Sequence, residues 1–374
     1  MVVNRNWTIN GRFLSQSLTG VQRYGWEIVT ALDELLAEGG RNTADLTITL
    51  AAPPGCEPSS SLKSVRFVTA PGGSGHAWEQ IALPRAVQGG LLSLCNTGPL
   101  TVRKQIVCIH DMNTRLAPDS YSRAFRALYR ILLPALGFSA ARVATVSHFA
   151  AEQLAHFGVA SNNKIFVAPD GHEHALRWTP AHSATTSAAA GPDTVVVIGS
   201  RAPHKNIDLI FELARAMAPD GVRFALCGGL DSRVHAQGAT ASADNVVLLG
   251  RVSDDELAAL LRDSCCLAFP SFTEGFGLPP LEAMARGCPV VSSDRASMPE
   301  ICGDAALYAS PTSVADWRAA ILRLRDDAEL RQGCIARGRE RLPQFSWRRT
   351  AELYLEQMAA IDGRASQRSR AAAA

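Results

Sequence analysis

The stretch that decides the fold is CCLAFPSFTEGFGLPPLEAMARGCPVVSS, residues 265–293. Apolar runs at 265–271 and 288–293 predict two buried strands, and the residues between them follow a helical pattern. Gly275 and Gly277 permit a tight turn after the first strand, and the Pro-Pro pair that follows suits a first helical turn. The stretch therefore predicts two parallel strands joined by a helix.

The same alternation extends through the rest of the chain. Helical patterns separate short apolar, β-branched runs, so we predict an α/β architecture of parallel sheets wrapped by helices. The other predicted strands lie at 45–52, 65–69, 91–95, 105–109, 143–146, 165–168, 194–200, 223–229, 245–250 and 305–310.

A change of composition near the middle of the chain predicts a division into domains. Residues 181–193, AHSATTSAAAGPD, are small, polar and rich in breakers, which is typical of a linker. A chain of 374 residues is also too long for one ordinary domain. We therefore predict an N-terminal domain at 1–184, a C-terminal domain at 185–345, a last helix at 346–361 and a disordered tail at 362–374.

Composition limits the class of protein. An apolar content of 47% with 19% charged residues predicts sizeable cores, and a net charge of +2 favours neither nucleic acid nor an acidic partner. The nine cysteines are scattered without a CxxC pair, which is typical of buried thiols in a reducing compartment. The chain shows no signal-peptide pattern and no apolar run near the ~20 residues of a membrane span, so we predict a cytoplasmic location.

The loops after strands are the first places to search for a ligand site, since ligands of doubly wound sheets bind at the carboxyl ends of strands. The segment RAPHKNIDLI follows the strand at 194–200 and supplies Arg201 and Lys205 just before a helix. Two cations at a helix N-terminus suit a diphosphate. The alternative is a solvated basic turn.

Two glutamates flank the glycine turn of the opening stretch. Glu274 is predicted at the carboxyl end of a strand, and Glu282 in the first turns of the next helix. Because a carboxylate accepts hydrogen bonds from adjacent hydroxyls, the pair suits a sugar and a ribose at the two ends of a phosphate-bearing ligand. For Glu282 alone, interaction with the helix dipole is an alternative.

The acidic stretch that begins at Ser253 predicts a helix cap rather than a metal site. Ser253 suits the N-cap position and Glu256 suits the reciprocal bond of a capping box, so we predict no metal site. Gly250 and Arg251 close the preceding strand and are candidates for lining a base pocket.

The N-terminal half offers further candidates. Gly20 is predicted at a helix start, where a phosphate can approach the backbone. The segment VCIHDMN places His110 and Asp111 at a strand end, where a histidine suits a general base or a sugar contact, or a purely structural role. We assign Asp111 and Asn96 to the acceptor side.

Motifs of several other enzyme classes are missing from the sequence. The chain contains no G-x-S-x-G, no Walker A loop and no H-E-x-x-H, and IGSRAPHKN is not G-x-G-x-x-G, which disfavours a nicotinamide or flavin cofactor.

The candidate loops together resemble a known family. EGFGLPPLE, from Glu274 to Glu282, resembles the E-x7-E motif of the family-4 retaining glycosyltransferases, which have the GT-B fold, and GSRAPHKNIDLI resembles their phosphate-binding loop. GRFLSQSLTGVQRY, IHDM and TVSHFA resemble N-domain elements of members that build bacterial surface polysaccharides. The resemblance implies two Rossmann-like doubly wound domains facing a cleft, with the C-terminal helix packing back toward the N-terminal domain.

The resemblance also implies a role for each candidate. Arg201 and Lys205 would bind the donor diphosphate and stabilise the leaving group, although Ser200 here separates Arg201 from the strand glycine that it often follows in the family. Glu274 would contact the donor sugar and Glu282 the ribose. His110 would lie near the sugar and join Arg201, Lys205 and Glu274 as a catalytic residue. The implied donor-binding set is Gly20, Gly250, Arg251, Glu274, Gly275, Phe276, Gly277, Leu278 and Glu282.

The implied reaction moves a hexose, mannose or a deoxyhexose such as rhamnose, from a nucleotide diphosphate sugar, GDP-mannose being favoured. The acceptor would be a saccharide or lipid-linked oligosaccharide of a surface polysaccharide, and the front-face mechanism would need no cofactor and no metal. The alternatives are a UDP- or dTDP-sugar transferase and a non-catalytic nucleotide-sugar sensor. A sugar phosphorylase or an epimerase is a further alternative, but phosphorylases usually need a much longer chain.

The segment 121–143, YSRAFRALYRILLPALGFSAARV, combines basic and apolar residues. Arg123, Arg126 and Arg130 among apolar side chains suit a helix that lies on an anionic membrane, which predicts peripheral contact with the inner face of the cytoplasmic membrane. A core helix with its arginines on the wet face is the alternative.

Overall fold

The computed structural model describes residues 4–229 and 243–363, so the predicted tail from 364 onward lies outside the described residues. The chain forms two compact units. Unit 1 consists of the described residues within 1–112, 123–171 and 346–374, and unit 2 of those within 113–122 and 172–345.

The strands follow the chain in two groups. They are β1 (Arg5–Asn10), β2 (Leu46–Ala52), β3 (Arg66–Thr69), β4 (Gly90–Ser93), β5 (Gln105–Cys108), β6 (Arg142–Thr145), β7 (Ile165–Val167), β8 (Thr194–Ile198), β9 (Arg223–Cys227), β10 (Val246–Gly250), β11 (Cys266–Phe269), β12 (Val290–Ser293) and β13 (Ala306–Ala309).

Helices connect the strands. They are α1 (Gly20–Glu38), α2 (Gly75–Ala77), α3 (Leu83–Ala86), α4 (Asn113–Leu116), α5 (Arg123–Ser139), α6 (His148–His156), α7 (Glu173–Arg177), α8 (Ala184–Ala189), α9 (Ile207–Met217), α10 (Asp254–Asp263), α11 (Leu278–Ala285), α12 (Met298–Cys302), α13 (Val314–Asp326), α14 (Ala328–Arg341) and α15 (Trp347–Ile361). Shorter pieces are a π-helix at Trp78–Ala82 and 3₁₀ turns at Gly11–Ser15, Pro118–Ser120, Pro203–Lys205, Ala218–Asp220, Gly303–Ala305 and Leu342–Gln344. Among the described residues, no helix combines the length and the apolar character that crossing a membrane requires.

The two sheets share one topology. Sheet 1, in unit 1, has the order β3-β2-β1-β4-β5-β6-β7, and sheet 2, in unit 2, has the order β10-β9-β8-β11-β12-β13. All strand pairs in both sheets are parallel. Each sheet therefore reverses its strand order beside its first strand, between β1 and β4 in sheet 1 and between β8 and β11 in sheet 2. This confirms the predicted class of two doubly wound α/β domains.

Burial explains why the central strands form. Val195, Val196 and Val197 of β8 are fully buried, as is typical of a parallel strand covered by helices on both faces. In unit 1 the last helix, α15, completes the fold, because buried Tyr354 places its hydroxyl 2.8 Å from that of Tyr24 on α1. Helix α15 thus packs within the N-terminal unit, as the resemblance implied.

Strand β1 was missing from the predicted strands. Its sequence, RNWTIN, alternates polar and apolar residues, yet Arg5, Thr8 and Asn10 are buried together with Trp7 and Ile9. The polar groups find partners inside the fold, for example Arg5, whose Nε donates to Asp362 at 2.6 Å. A hydrophobicity pattern cannot reveal a central strand whose polar side chains are satisfied by distant residues.

The stretch 181–193, predicted to be a linker, contains a helix. Ser183 and Thr186 form a reciprocal capping box at the start of α8, where Ala189 and Thr186 are buried. Small residues permitted this helix to pack, so composition alone was misleading. The chain passes from unit 1 to unit 2 at 171/172 instead of 184/185, and Asn113–Ser122 also belongs to unit 2.

Candidate functional site

The candidate site lies at the strand-order reversal of sheet 2. The segment 199–206 follows β8 and the segment 270–277 follows β11, and these two strands are hydrogen-bonded neighbours. We call these segments loop A (199–206) and loop B (270–277). Because ligands of doubly wound sheets bind at such a reversal, loops A and B occupy the position expected of a binding site.

Two predicted residues meet between these loops. Lys205 of loop A donates a hydrogen bond from Nζ to Oε1 of Glu274 of loop B at 2.7 Å. The lysine side chain is 24% exposed and the glutamate side chain 12% exposed. An ion pair that retains contact with water can exchange partners, so an entering diphosphate can take up Lys205 while Glu274 accepts from a sugar hydroxyl.

Backbone constraints hold loop A in place. Asn206 adopts a left-handed conformation with φ of 56°, and its side-chain amide donates to the carbonyl oxygens of Pro270 at 3.1 Å and Pro311 at 2.8 Å. The amide of Phe272 donates to the carbonyl oxygen of His204 at 2.8 Å. The two loops are therefore joined by their main chains as well as by the ion pair.

The segment Asn113–Ser122 braces both loops from within unit 2. Ser120 Oγ lies 2.8 Å from His204 Nδ1, and Asn113 Oδ1 accepts from Thr273 Oγ1 at 3.1 Å. Each contacted residue directly precedes one member of the Lys205–Glu274 pair. Burial lowers the pKa of His204, with Glu274 acting in the opposite direction and Lys205 in the same direction, so its ring is mainly neutral at neutral pH.

The glycine turn in loop B has a steric reason. Gly277 has φ of +115°, and a Cβ at this position would lie 2.3 Å from the Met298 methyl carbon. Ser297 fixes the same turn, because its Oγ lies 2.6 Å from the carbonyl oxygen of Phe276 and 3.0 Å from that of Glu274. Gly275, Phe276 and Gly277 are buried, and Leu278 begins α11 with prolines at its next two positions.

Glu282 lies inside the fold instead of on the helix surface. It is 6% exposed, and its Oε1 is 2.9 Å from Nε2 of buried His174. The helix dipole alone therefore does not account for this carboxylate. Sequence reasoning missed His174, because the two residues are 108 positions apart and no local pattern links them.

The other candidates of the C-terminal half lie in loop A and at the end of β10. Arg201 is half-buried in loop A, Gly250 ends β10 with φ of +65°, and Arg251 is exposed. The predicted capping box is confirmed, since Ser253 and Glu256 bond reciprocally at the start of α10. In residues 4–229 and 243–363, no group of three or more His, Cys, Asp or Glu is arranged to hold a metal ion.

The candidates of unit 1 lie at the carboxyl edge of sheet 1. Gly20 begins α1, where a Cβ would meet no atom within 4 Å, so folding does not require glycine there. His110 is buried and donates from Nε2 to the carbonyl oxygen of Leu94 at 2.8 Å, which leaves Nε2 unable to act as a base. Burial lowers the pKa of His110 to about 4. Asn96 accepts from the His110 amide at 2.8 Å, and Asp111 is half-buried.

A buried charge cluster at the reversal of sheet 1 was also missed. Arg12 donates from Nε to Glu79 Oε1 at 3.0 Å and from Nη2 to Thr97 Oγ1 at 2.8 Å. Asn10 donates to the same glutamate oxygen at 2.7 Å. Burial acts to raise the pKa of Glu79, but the hydrogen bond from His76, the charge of Arg12 and the remaining bonds outweigh it and hold the pKa below its ordinary value.

Comparisons with known proteins agree with this arrangement. Over 95% of its length the chain resembles the whole of sucrose-phosphate synthase from Thermosynechococcus elongatus, with a TM-score of 0.71 and 18% identity, which shows a shared GT-B fold. Residues 180–341 match the family described as "Glycosyl transferases group 1". This region, which contains loops A and B, is similar to group 1 glycosyltransferase domains, in agreement with the resemblance inferred from the sequence.

Two curated relatives are named as mannosyltransferases. The chain is 28% identical over 229 residues to the O-antigen chain mannosyltransferase RfbU of Salmonella typhimurium, covering 60% of this chain and 62% of the relative. It is 46% identical over 99 residues to the O-antigen chain mannosyltransferase B of Escherichia coli, covering 26% of each. The alignments thus span less than two thirds of each relative.

Proposed function

We propose that the protein is a retaining glycosyltransferase that transfers a hexose from a nucleotide diphosphate sugar, with GDP-mannose as the favoured donor. The acceptor is a saccharide or a lipid-linked oligosaccharide in the synthesis of a surface polysaccharide. The similarity to two O-antigen chain mannosyltransferases supports the choice of mannose and of this pathway.

The pairing of Lys205 with Glu274 carries the proposal. A cation and a carboxylate from different loops lie 2.7 Å apart at the strand-order reversal of a group 1 glycosyltransferase domain. In this proposal Lys205, with Arg201 of the same loop, binds the diphosphate, and Glu274 binds hydroxyls of the sugar that is transferred.

The chemistry expected of this site is stabilisation of the departing nucleoside diphosphate. Negative charge grows on the diphosphate as the glycosidic bond breaks, and a positioned ammonium and guanidinium stabilise it most in the transition state. The leaving phosphate then accepts the proton of the acceptor hydroxyl, which attacks the same face of the sugar. We propose that no metal takes part, so turnover should be unchanged by EDTA.

The donor is tested by binding. A ligand that binds only the native state raises the apparent Tm, so GDP, UDP and dTDP are compared at equal concentrations by thermal shift. GDP should give the largest increase. A larger increase with UDP or dTDP would contradict the proposed donor and favour the corresponding nucleotide sugar.

Transfer must also be separated from mere binding. A nucleotide-sugar sensor with the same pocket binds donor without using an acceptor. For the enzyme we expect release of free nucleoside diphosphate from GDP-mannose only when acceptor is added, measured by a coupled assay. Donor binding without such release would leave the binding protein as the better description.

Contact with a membrane is proposed for one face of α5. Leu132, Leu133 and Leu136 are buried, so this face packs in unit 1. The other face carries an apolar stripe whose residues recur at spacings of three and four, with Ile131 74% and Phe138 83% exposed. The stripe consists of Ala124, Leu128, Ile131, Ala135 and Phe138.

Arginines flank this stripe. Arg123 and Arg130 are exposed and lie seven positions apart, so they lie on the same side of the helix. An exposed apolar stripe beside two cations suits the surface of an anionic bilayer, into which the apolar side chains insert. We therefore propose that the protein binds peripherally to the inner face of the cytoplasmic membrane, where a lipid-linked acceptor is accessible.

Vesicle flotation tests this contact. The protein should float with phosphatidylglycerol vesicles and not with phosphatidylcholine vesicles, and Ile131→Ser with Phe138→Ser should abolish flotation. Ile81→Ser is the matched control, because Ile81 is an exposed isoleucine of unit 1 outside the stripe. Equal flotation with both lipids, or none with either, would contradict the proposal.

A further inference from the structure

Glu282 is a buried carboxylate that bonds to a buried histidine. Its Oε1 lies 2.9 Å from Nε2 of His174, and the side chains of the two residues are 7% and 1% exposed. Because an ionised carboxylate only accepts hydrogen bonds, the histidine proton of this bond is on Nε2. The bond removes one torsional freedom of Glu282 that an unpaired glutamate would retain.

Helix α7 presents His174 to α11 through more than this bond. The carbonyl oxygen of Ala175, the next residue, accepts from Arg286 Nη1 at 3.2 Å. Glu282 lies in α11, and Arg286 is the residue that directly follows this helix. Two consecutive residues of α7 therefore contact α11 and the residue that follows it.

The histidine ring is itself held in place. The His174 and Trp178 rings pack edge to face with centroids 5.4 Å apart, at an interplanar angle of 77°. A ring held by packing on one side and bonded to a carboxylate on another has little freedom to rotate. His174 thus has the features of a group that orients Glu282, and it lies in the same unit as loops A and B.

We propose that His174 is a positioning residue for the donor nucleotide, holding the Glu282 carboxylate in the orientation that receives the ribose hydroxyls. The inference rests on the proposed function, in which Glu282 binds the ribose. His174 does not touch the reacting atoms. Its loss should therefore weaken recognition of the ribose while the chemical step remains intact.

The experiment compares a ribonucleotide with its 2′-deoxy form. Isothermal titration measures GDP and 2′-deoxy-GDP binding to the wild type, His174→Ala, His174→Gln and His174→Asn. If UDP gives the larger thermal shift, UDP and its 2′-deoxy form replace them. The glutamine amide nitrogen reaches the position of Nε2, whereas the asparagine nitrogen reaches only that of Nδ1.

The wild type should prefer the ribonucleotide by about tenfold or more, since a hydrogen bond to a charged group is lost in the deoxy form. His174→Ala and His174→Asn should lose most of this preference, and His174→Gln should keep it. In kinetics, the donor KM should rise while kcat stays within about twofold of the wild type.

A matched control is available in the same unit. His182 bonds through Nε2 to Asp263 at 2.9 Å, the same length and the same pair of group types. His182→Ala should leave the ribose preference unchanged, because this pair lies outside loops A and B and outside α11. A loss of preference in His182→Ala equal to that in His174→Ala would overturn the proposal.

Glu282→Gln distinguishes the ribose-binding role of Glu282 from the positioning role of His174. If Glu282→Gln keeps the wild-type preference, the ribose role of Glu282 fails, and the inference fails with it. If Glu282→Gln loses the preference but His174→Ala and His174→Asn keep it, only the role of His174 is overturned. If every His174 variant weakens the binding of both nucleotides equally, His174 has only a structural role, and its proposed positioning role is likewise overturned. If His174→Ala does not fold, the comparison of His174→Gln with His174→Asn tests the role of His174.

Discussion

The carboxyl edges of the two sheets share a topology and differ in how they hold charge. In sheet 1, Arg12 connects the segment after β1 to Thr97, after β4, and its bond to Glu79 is 3.0 Å long. In sheet 2, Lys205 after β8 meets Glu274 after β11 at 2.7 Å. The side chains of the first pair are 8% and 1% exposed, and those of the second are 24% and 12% exposed.

This difference separates a pair that is satisfied within the fold from the pair that we propose to bind the donor. Glu79 accepts from several donors besides Arg12, so the first pair is satisfied within the fold. Within residues 4–229 and 243–363, the Lys205–Glu274 pair has fewer hydrogen-bond partners, and both side chains keep some contact with water. A buried, multiply bonded pair costs stability when broken, whereas an accessible pair contributes little to stability and can serve a ligand.

The largest expected effect comes from breaking the buried pair. Arg12→Ala leaves Glu79 as an uncompensated buried charge and should reduce the free energy of unfolding by about 3–5 kcal/mol. Differential scanning calorimetry should show a Tm lower by roughly 10 °C. The control is Arg12→Met with Glu79→Leu, which removes both charges and should recover most of the loss. A wild-type Tm for Arg12→Ala would contradict the comparison.

Breaking the Lys205–Glu274 pair should reduce kcat far more than it reduces stability. Lys205→Ala should lower kcat by about 10²–10³-fold, because a donor aimed at the developing charge is lost. Its Tm should fall less than that of Arg12→Ala, since both side chains of the Lys205–Glu274 pair keep some contact with water. Steady-state kinetics and calorimetry on the same preparation measure both. Wild-type turnover in Lys205→Ala would exclude this lysine from the mechanism.

Acid should weaken sheet 1 through Glu79. The folded state holds the pKa of Glu79 below its ordinary value of 4.5, so its stabilising effect is complete above that value. The effect is lost as pH falls through the lowered folded-state pKa. The Tm of the wild type should therefore fall more steeply below about pH 4.5 than that of Glu79→Gln. Identical slopes for the two proteins would argue against a charged Glu79 in the folded state.

The smallest effect is expected where Asn113 braces loop B. Thr273→Val removes the hydroxyl that bonds to Asn113 Oδ1 and keeps the shape of the side chain. The free energy of unfolding should fall by about 0.5–1.5 kcal/mol, and the donor KM should rise a few-fold because Glu274 is the next residue. Thr273→Ser retains the hydroxyl and is the matched control. An equal rise in KM for both variants would show that this bond does not position Glu274.

Local sequence accounts for most of the fold and for the positions of the main candidate-site residues along the strands and helices. Runs of apolar residues alternating with helical patterns predicted twelve of the strands, since burial in a parallel sheet imposes that pattern directly. Strand β1 was not predicted, because its buried polar groups are satisfied by distant residues. One of these is Asp362, which lies 357 positions from Arg5. The hydrophobicity pattern of neighbouring residues gives no information about such a distant partner.

The sequence by itself determined which loops are candidates for the ligand site, because glycines, prolines and charged residues around strand ends follow local backbone rules. Tertiary structure alone decided what those residues touch. It paired Lys205 with Glu274, buried Glu282 against His174, assigned Asn113–Ser122 to unit 2 and committed His110 Nε2 to a main-chain oxygen. The physical reason is range: backbone conformation depends on adjacent residues, whereas hydrogen bonds and burial depend on whichever segments the folded chain brings together.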